Sequence, residues 1–249
     1  FDSSFLEDYE EKRQIGENDS YICTLIRQDS VEDFITFVTK ELISLTSEVN
    51  PSIFETNPLF IQQNPTLIEY AAFFGSIQIY QFLSREYKNI NQSLWIYAIH
   101  SNNSNFICNY IETNIKLNDS GYVQVINESI KCHHNDIANY IQNNLLQPGH
   151  SNIIYSNEKI IYYSLQYHNY LFLPYNLNKN CLFFDLCKFN YHKIVNYKLT
   201  NKKDSLELYA NIFFFNFWCF LFLFLNANSI QHAAKCNKID VVYYLLLKQ

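Results

Sequence analysis

The residues best suited to chemistry are one run, Cys132-His133-His134, and two looser pairs, Cys187 with His192 and Cys236 with His232. A thiol beside imidazole suggests either a zinc site or a nucleophile activated by a histidine base. The spacing argues against both. Adjacent residues at a helix end point in different directions, and no second ligand pair follows the run at the separation that zinc modules use. In each looser pair the Cys falls on a helix and the His near its end, positions that a helical repeat already explains. Glycines at 16, 75, 121 and 149 build neither a phosphate-cradling loop nor a nucleophile elbow. The sequence therefore predicts no catalytic residue, no cofactor and no metal.

Along the elements that carry these residues one spaced pattern returns five times: an apolar residue, a small residue three places on, then an apolar pair eight and nine places beyond. It reads Ile68–Ala71–Ile79/Tyr80, Trp95–Ala98–Phe106/Ile107, Ile126–Ser129–Ile137/Ala138, Phe183–Leu186–Ile194/Val195 and Ile230–Ala233–Val241/Val242. Three-residue spacing places the first two members on one helix face. Four residues after the small position stand Gly75, Asn102, His133, Asn190 and Asn237, types that tolerate a positive φ and so end a helix. The pattern predicts a helix, a tight turn and a second helix, repeated as an all-α helix-turn-helix solenoid. Thr66, Ser93 and Asn228 are expected to cap the first helices. A degenerate unit is expected around residues 161–165, its second helix cut short near Pro174. Upstream, helices are expected over 22–28 and 31–40, joined at Asp29-Ser30, and the prolines at 51, 58 and 65 punctuate the approach to the first clear unit.

The chain has 249 residues, 48% apolar and 17% charged, enough to bury a core. It holds 31 Asn, 20 Tyr and 21 Phe but only 4 Gly and no Met, a bias that A/T-rich codons explain. The missing Met at position 1 and an apolar last helix lead us to expect a piece of a longer array. Net charge is −6, concentrated in an acidic segment at 1–20 that is expected to be solvated. No basic stripe exists, which excludes the electrostatic footprint of nucleic-acid binding. Seven scattered cysteines without C-x-x-C spacing fit a reducing, intracellular and cytoplasmic setting.

Thr66-Leu67-Ile68-Glu69-Tyr70-Ala71-Ala72 leading to Gly75-Ser76 and Ile79-Tyr80 resembles an ankyrin repeat, as does Ile230 through Ala233-Ala234 and Asn237 to Val241-Val242 and Leu245-Leu246. Ser52-Ile53-Phe54-Glu55-Thr56-Asn57-Pro58, Leu94-Trp95-Ile96-Tyr97-Ala98-Ile99-His100 and Ser129-Ile130-Lys131-Cys132-His133-His134 resemble the helical domain of unknown function that precedes the repeats in protist ankyrin proteins. The Thr-Pro-Leu-His opening of an ankyrin unit is absent. The resemblance implies protein–protein binding through inner helices and loop tips, without catalysis, and a division into 1–20, a helical domain at 21–175 and repeats at 176–249 with an insertion at 203–228.

Within that insertion, residues 212–225 are apolar except for Asn216, a tract shorter than the roughly 20 residues a membrane-spanning helix needs. A buried or self-packed helix inserted between units is the first reading, a decayed or misread segment of an A/T-rich gene the second and membrane insertion or interfacial anchoring the third; a membrane-associated adaptor held by this tract is the alternative function. For the scaffold reading, the positions between small residue and turn are the expected partner-binding side: His100, Ser101, Lys131, Lys188 and Lys235. The partner is expected to be a protein of unknown identity.

Overall fold

In a computed structural model, the described residues are 3–86, 91–146, 152–173, 185–186, 188–191 and 193–194. They divide into two compact units, Phe1–Ile153 and Ile154–Gln249. The described residues form helices and no strand, an all-α arrangement; one isolated antiparallel bridge joins Glu48 and Thr66.

In the first unit, α1 (Ser3–Ile15) precedes a series of helical hairpins and α4 (Pro58–Gln62) follows the first of them. These are α2 (Tyr21–Arg27) with α3 (Val31–Lys40), α5 (Leu67–Phe74) with α6 (Ile77–Ser84), and α7 (Leu94–His100) with α8 (Ser104–Phe106), which runs on as a π-helix (Ile107–Glu112). The last is α9 (Asp119–Lys131) with α10 (Asn135–Asn144). The first helices pack in chain order, α2 on α5, α5 on α7 and α7 on α9, and α3 packs on α6. The contact faces are the apolar positions of the sequence pattern: Ile68, Ala71, Ile79, Tyr80, Trp95, Ala98, Phe106, Ile107, Ile126, Ser129, Ile137 and Ala138 are all buried. Ala71 and Ala98, with no exposed surface, leave room for α5 and α7 to approach. Second helices meet through Phe34 against Phe82 (6.2 Å) and Tyr80 edge-on to Phe106 (5.0 Å).

Each hairpin turns on one left-handed residue: Asp29 (φ 52°), Gly75 (67°), Asn102 (49°) and His133 (59°). In three of these turns the next residue's N–H returns to the carbonyl five places earlier, Ser30 to Leu25, Ser76 to Ala71 and His134 to Ser129. That bond closes a Schellman cap, which satisfies carbonyls a helix end leaves orphaned. The second unit repeats the device, with His168 (φ 56°) after α11 (Asn152–Gln166) and Asn190 (φ 63°), and bonds from Asn169 to Ser164 and Tyr191 to Leu186. Ser164 and His168 therefore supply the small position and turn of the degenerate unit; a short 3-10 helix, Tyr170–Phe172, stands where its second helix would run.

Several local expectations need correction. Thr66 caps α5, and Glu69 reaches back to complete a capping box. Ser93 does not cap α7: its backbone is helical (φ −55°, ψ −28°), and its hydroxyl donates instead to the Glu69 carboxylate, a stronger acceptor. The acidic opening is helical over α1, although its Tyr9, Glu10 and Glu11 are exposed, and Asn57 with Pro58 nucleates α4, which the prolines had masked. The second helix at 107–112 winds as π rather than α. No helix among the described residues is long and apolar enough to cross a membrane; residues 212–225, Asn228 and Asn237 lie outside them.

Because His133 is exposed and left-handed, its residue type matters mainly through backbone strain. His133→Gly should change stability by less than about 0.5 kcal/mol, whereas His133→Val should cost about 1–2 kcal/mol. Urea unfolding monitored by circular dichroism measures both.

Candidate functional site

Two of the expected partner-binding residues, His100 and Lys131, converge where α7 ends beside the end of α9. His100 closes α7, and its ring is stacked on Phe73 of α5 with centroids 4.7 Å apart and planes at 20°. On its polar edge, His100 Nε2 lies 3.0 Å from Glu128 Oε1, and Lys131 Nζ donates to the same oxygen at 2.9 Å. Cys132 Sγ approaches the ring at 3.7 Å from Nδ1 and 3.9 Å from Nε2. The side chains of His100 and Glu128 are 16% and 17% exposed, and Lys131 is the open member at 45%.

Helical spacing brings Glu128, Lys131 and Cys132 together, since residues three and four apart share a face. Burial alone would raise the Glu128 carboxyl, but the hydrogen bonds from His100 and Lys131 and their charges outweigh it, so the group is held below its ordinary value of 4.5. Burial, with the Glu128 charge added to it, pushes the Cys132 thiol up to about 11. The thiol is thus kept protonated at neutral pH. Its near-equal distances to both ring nitrogens place the sulfur beside the ring rather than along either nitrogen lone pair, a geometry that does not activate it as a nucleophile.

The remaining expected residues are distributed elsewhere. Ser101, half-buried, donates its hydroxyl to the Ala98 carbonyl at 2.7 Å and accepts from the Asn103 N–H; its Cβ lies against Gly75. His133 is the exposed turn residue, and His134 points the opposite way, its Nδ1 donating to the Ile99 carbonyl at 2.8 Å. Lys188, in the second unit, is exposed, bonded to the Tyr162 hydroxyl at 2.6 Å and 4.5 Å from that ring's centre. Lys235 lies outside the described residues.

Sequence reasoning missed Glu128 and Cys132 as partners of His100. The one-turn spacing of Glu128, Lys131 and Cys132 was readable; the helix 28 residues earlier that brings His100 to them was not. It also missed a device that links successive hairpins. The residue after three of the left-handed turns donates its side chain to the hairpin before: Ser76 Oγ to the Ile26 carbonyl, His134 Nδ1 to Ile99 and, within the second unit, Tyr191 Oη to Leu165 at 2.8 Å, whereas Asn103, after Asn102, accepts from the Phe106 N–H and caps α8. In each case the acceptor lies three residues before the preceding turn residue. Compared with family models, curated proteins and solved structures, the chain matches none.

Since Glu128 is held below its ordinary value, folding favours its ionised form. Its charge stabilises the fold above the unfolded value near 4.5, and that contribution is lost as pH falls through the lower folded value. Glu128→Gln should therefore be less stable than the parent by about 1 kcal/mol at neutral pH, the difference between charged and neutral hydrogen bonds. The gap should close below pH 4.5 in a pH series of thermal unfolding curves.

Proposed function

We propose that this chain is a non-enzymatic protein–protein interaction scaffold, an intracellular ankyrin-like solenoid that binds through the turn tips and helix ends of its repeated hairpins. The observation that carries the reading is the hydrogen bond made by the residue after the turn. Ser76, His134 and Tyr191 occupy the same register position and reach equivalent carbonyls, Ile26, Ile99 and Leu165. Units joined in one register bury their apolar faces against neighbours and leave turn tips and helix ends outward, the arrangement repeat proteins use for binding. The chemistry near those tips also supports it. The imidazole and carboxylate at the end of α7 and α9 are engaged with one another, and the thiol is protonated and misaligned, so neither a base nor a nucleophile is prepared.

Lys131, Lys188 and Lys235 are the cations of the proposed binding side. Both described lysines are exposed, Lys131 bonded to Glu128 and Lys188 to the Tyr162 hydroxyl and over its ring, so charge reversal should cost each site about 1–2 kcal/mol and leave the chain folded. The test is affinity capture from an extract of the source cell, with the parent beside a chain carrying Lys131→Glu, Lys188→Glu and Lys235→Glu, and matching circular dichroism spectra as the folding control. Proteins retained by the parent and lost from the variant are expected; an identical set on both would contradict the assigned side.

A further inference from the structure

We propose that His100, Glu128 and Cys132 form a binding site for a zinc-class divalent cation that clamps the end of α7 to the end of α9. One nitrogen, one oxygen and one sulfur donor lie within 4.8 Å of one another, all half-buried. Their separations, 3.0 Å between His100 Nε2 and Glu128 Oε1 and 3.9 Å between that nitrogen and Cys132 Sγ, suit a common tetrahedral centre. Zinc bonds of about 2.0 Å to nitrogen or oxygen and about 2.3 Å to sulfur set neighbouring donors roughly 3–4 Å apart. Imidazole, thiolate and carboxylate together favour zinc over the all-oxygen shells of magnesium or calcium. The donors are also positioned by structure that predates the ion. Phe73 fixes the plane of the imidazole, and Glu128 and Cys132 project from the same side of α9, one turn apart.

Binding requires three rearrangements. His100 Nε2, which donates to Glu128 in the metal-free site, loses its proton to solvent while Nδ1 carries the ring's remaining proton, a change of tautomer that leaves the Nε2 lone pair for the metal. Lys131 must release Glu128 Oε1, and as the most exposed member it does so into water at small cost. The Cys132 S–H bond breaks, its proton passes to solvent, and the thiolate electron pair forms the metal–sulfur bond. One dication then meets one thiolate and one carboxylate, so the half-buried centre is electrically neutral. Three protein donors leave the fourth position to water. The site goes beyond the scaffold reading, because it would join successive hairpins whether or not the chain binds a partner.

The test uses the full chain, reduced and stripped of metal, titrated with Co²⁺ and then with Zn²⁺. Cobalt should produce a sulfur-to-metal charge-transfer band in the near ultraviolet with tetrahedral visible bands, saturating at one ion per chain, and zinc should displace it. Cys132→Ser should abolish the charge-transfer band while Cys108→Ser retains it, and His100→Ala should weaken zinc binding by more than about tenfold. Lys131→Ala should tighten it, a gain that misfolding cannot imitate. A parent chain without the band, a band that survives Cys132→Ser, or zinc affinity unmoved by both His100→Ala and Lys131→Ala would each overturn the site.

Discussion

A carbonyl near the end of each first helix has two lone pairs to satisfy, and the linked hairpins depend on how both are used. The Ile26, Ile99 and Leu165 carbonyls each accept one bond from the N–H of their own turn residue, Asp29, Asn102 and His168. The second comes from the side chain that follows the next turn, Ser76, His134 or Tyr191. A buried carbonyl left half-satisfied costs free energy, so the pairing specifies which hairpin follows which, in what register. Asp29 adds a link of the same kind: its carboxylate takes the N–H groups of Gln78 and Ile79 at the start of α6, at 3.0 and 2.9 Å. That carboxylate also sits where the helix dipole favours negative charge.

The apolar core supplies most of the driving force, and these bonds make its arrangement specific. Trp95, Tyr70, Tyr80, Phe34 and Phe106 are fully buried, yet they lie on helices too short to persist alone in water. Each helix is stable only against its neighbours. Trp95 shows the coupling: its indole N–H donates to the Ile115 carbonyl at 3.0 Å, tying α7 to the segment that leads into α9. The His100–Glu128 contact joins the same two helices at their other ends, and the proposed metal would strengthen a junction the fold already makes.

What could be read from residues alone was the local part. Gly75, Asn102, His133 and Asn190 were legible as turns because few side chains tolerate their backbone, and all four adopt positive φ. The buried pairs around Ala71, Ala98 and Ser129 were legible from spacing, as were the boundaries of α2 and α3. The links between hairpins were not, because a serine, a histidine and a tyrosine do the same task with nothing in common but a hydrogen to donate. Ser93 misled for a related reason: a serine before a helix signals a cap, but the nearby Glu69 carboxylate took its hydroxyl. In the candidate site, Lys131 and His100 were singled out as exposed helix ends; Lys131 is exposed, but both pair with Glu128 and His100 is stacked on Phe73 and half-buried. The proposed solenoid thus rests on contacts between segments far apart in sequence, the part no single-segment pattern carries.

The most direct measurement is hydrogen exchange on Ser76→Ala, which removes one linking side chain without touching the preceding hairpin. If the linking bond couples neighbours, amide protection should fall in α2, across Cys23 to Ile26, as well as in α5 and α6. Loss of protection confined to the start of α6, with α2 unchanged, would contradict it.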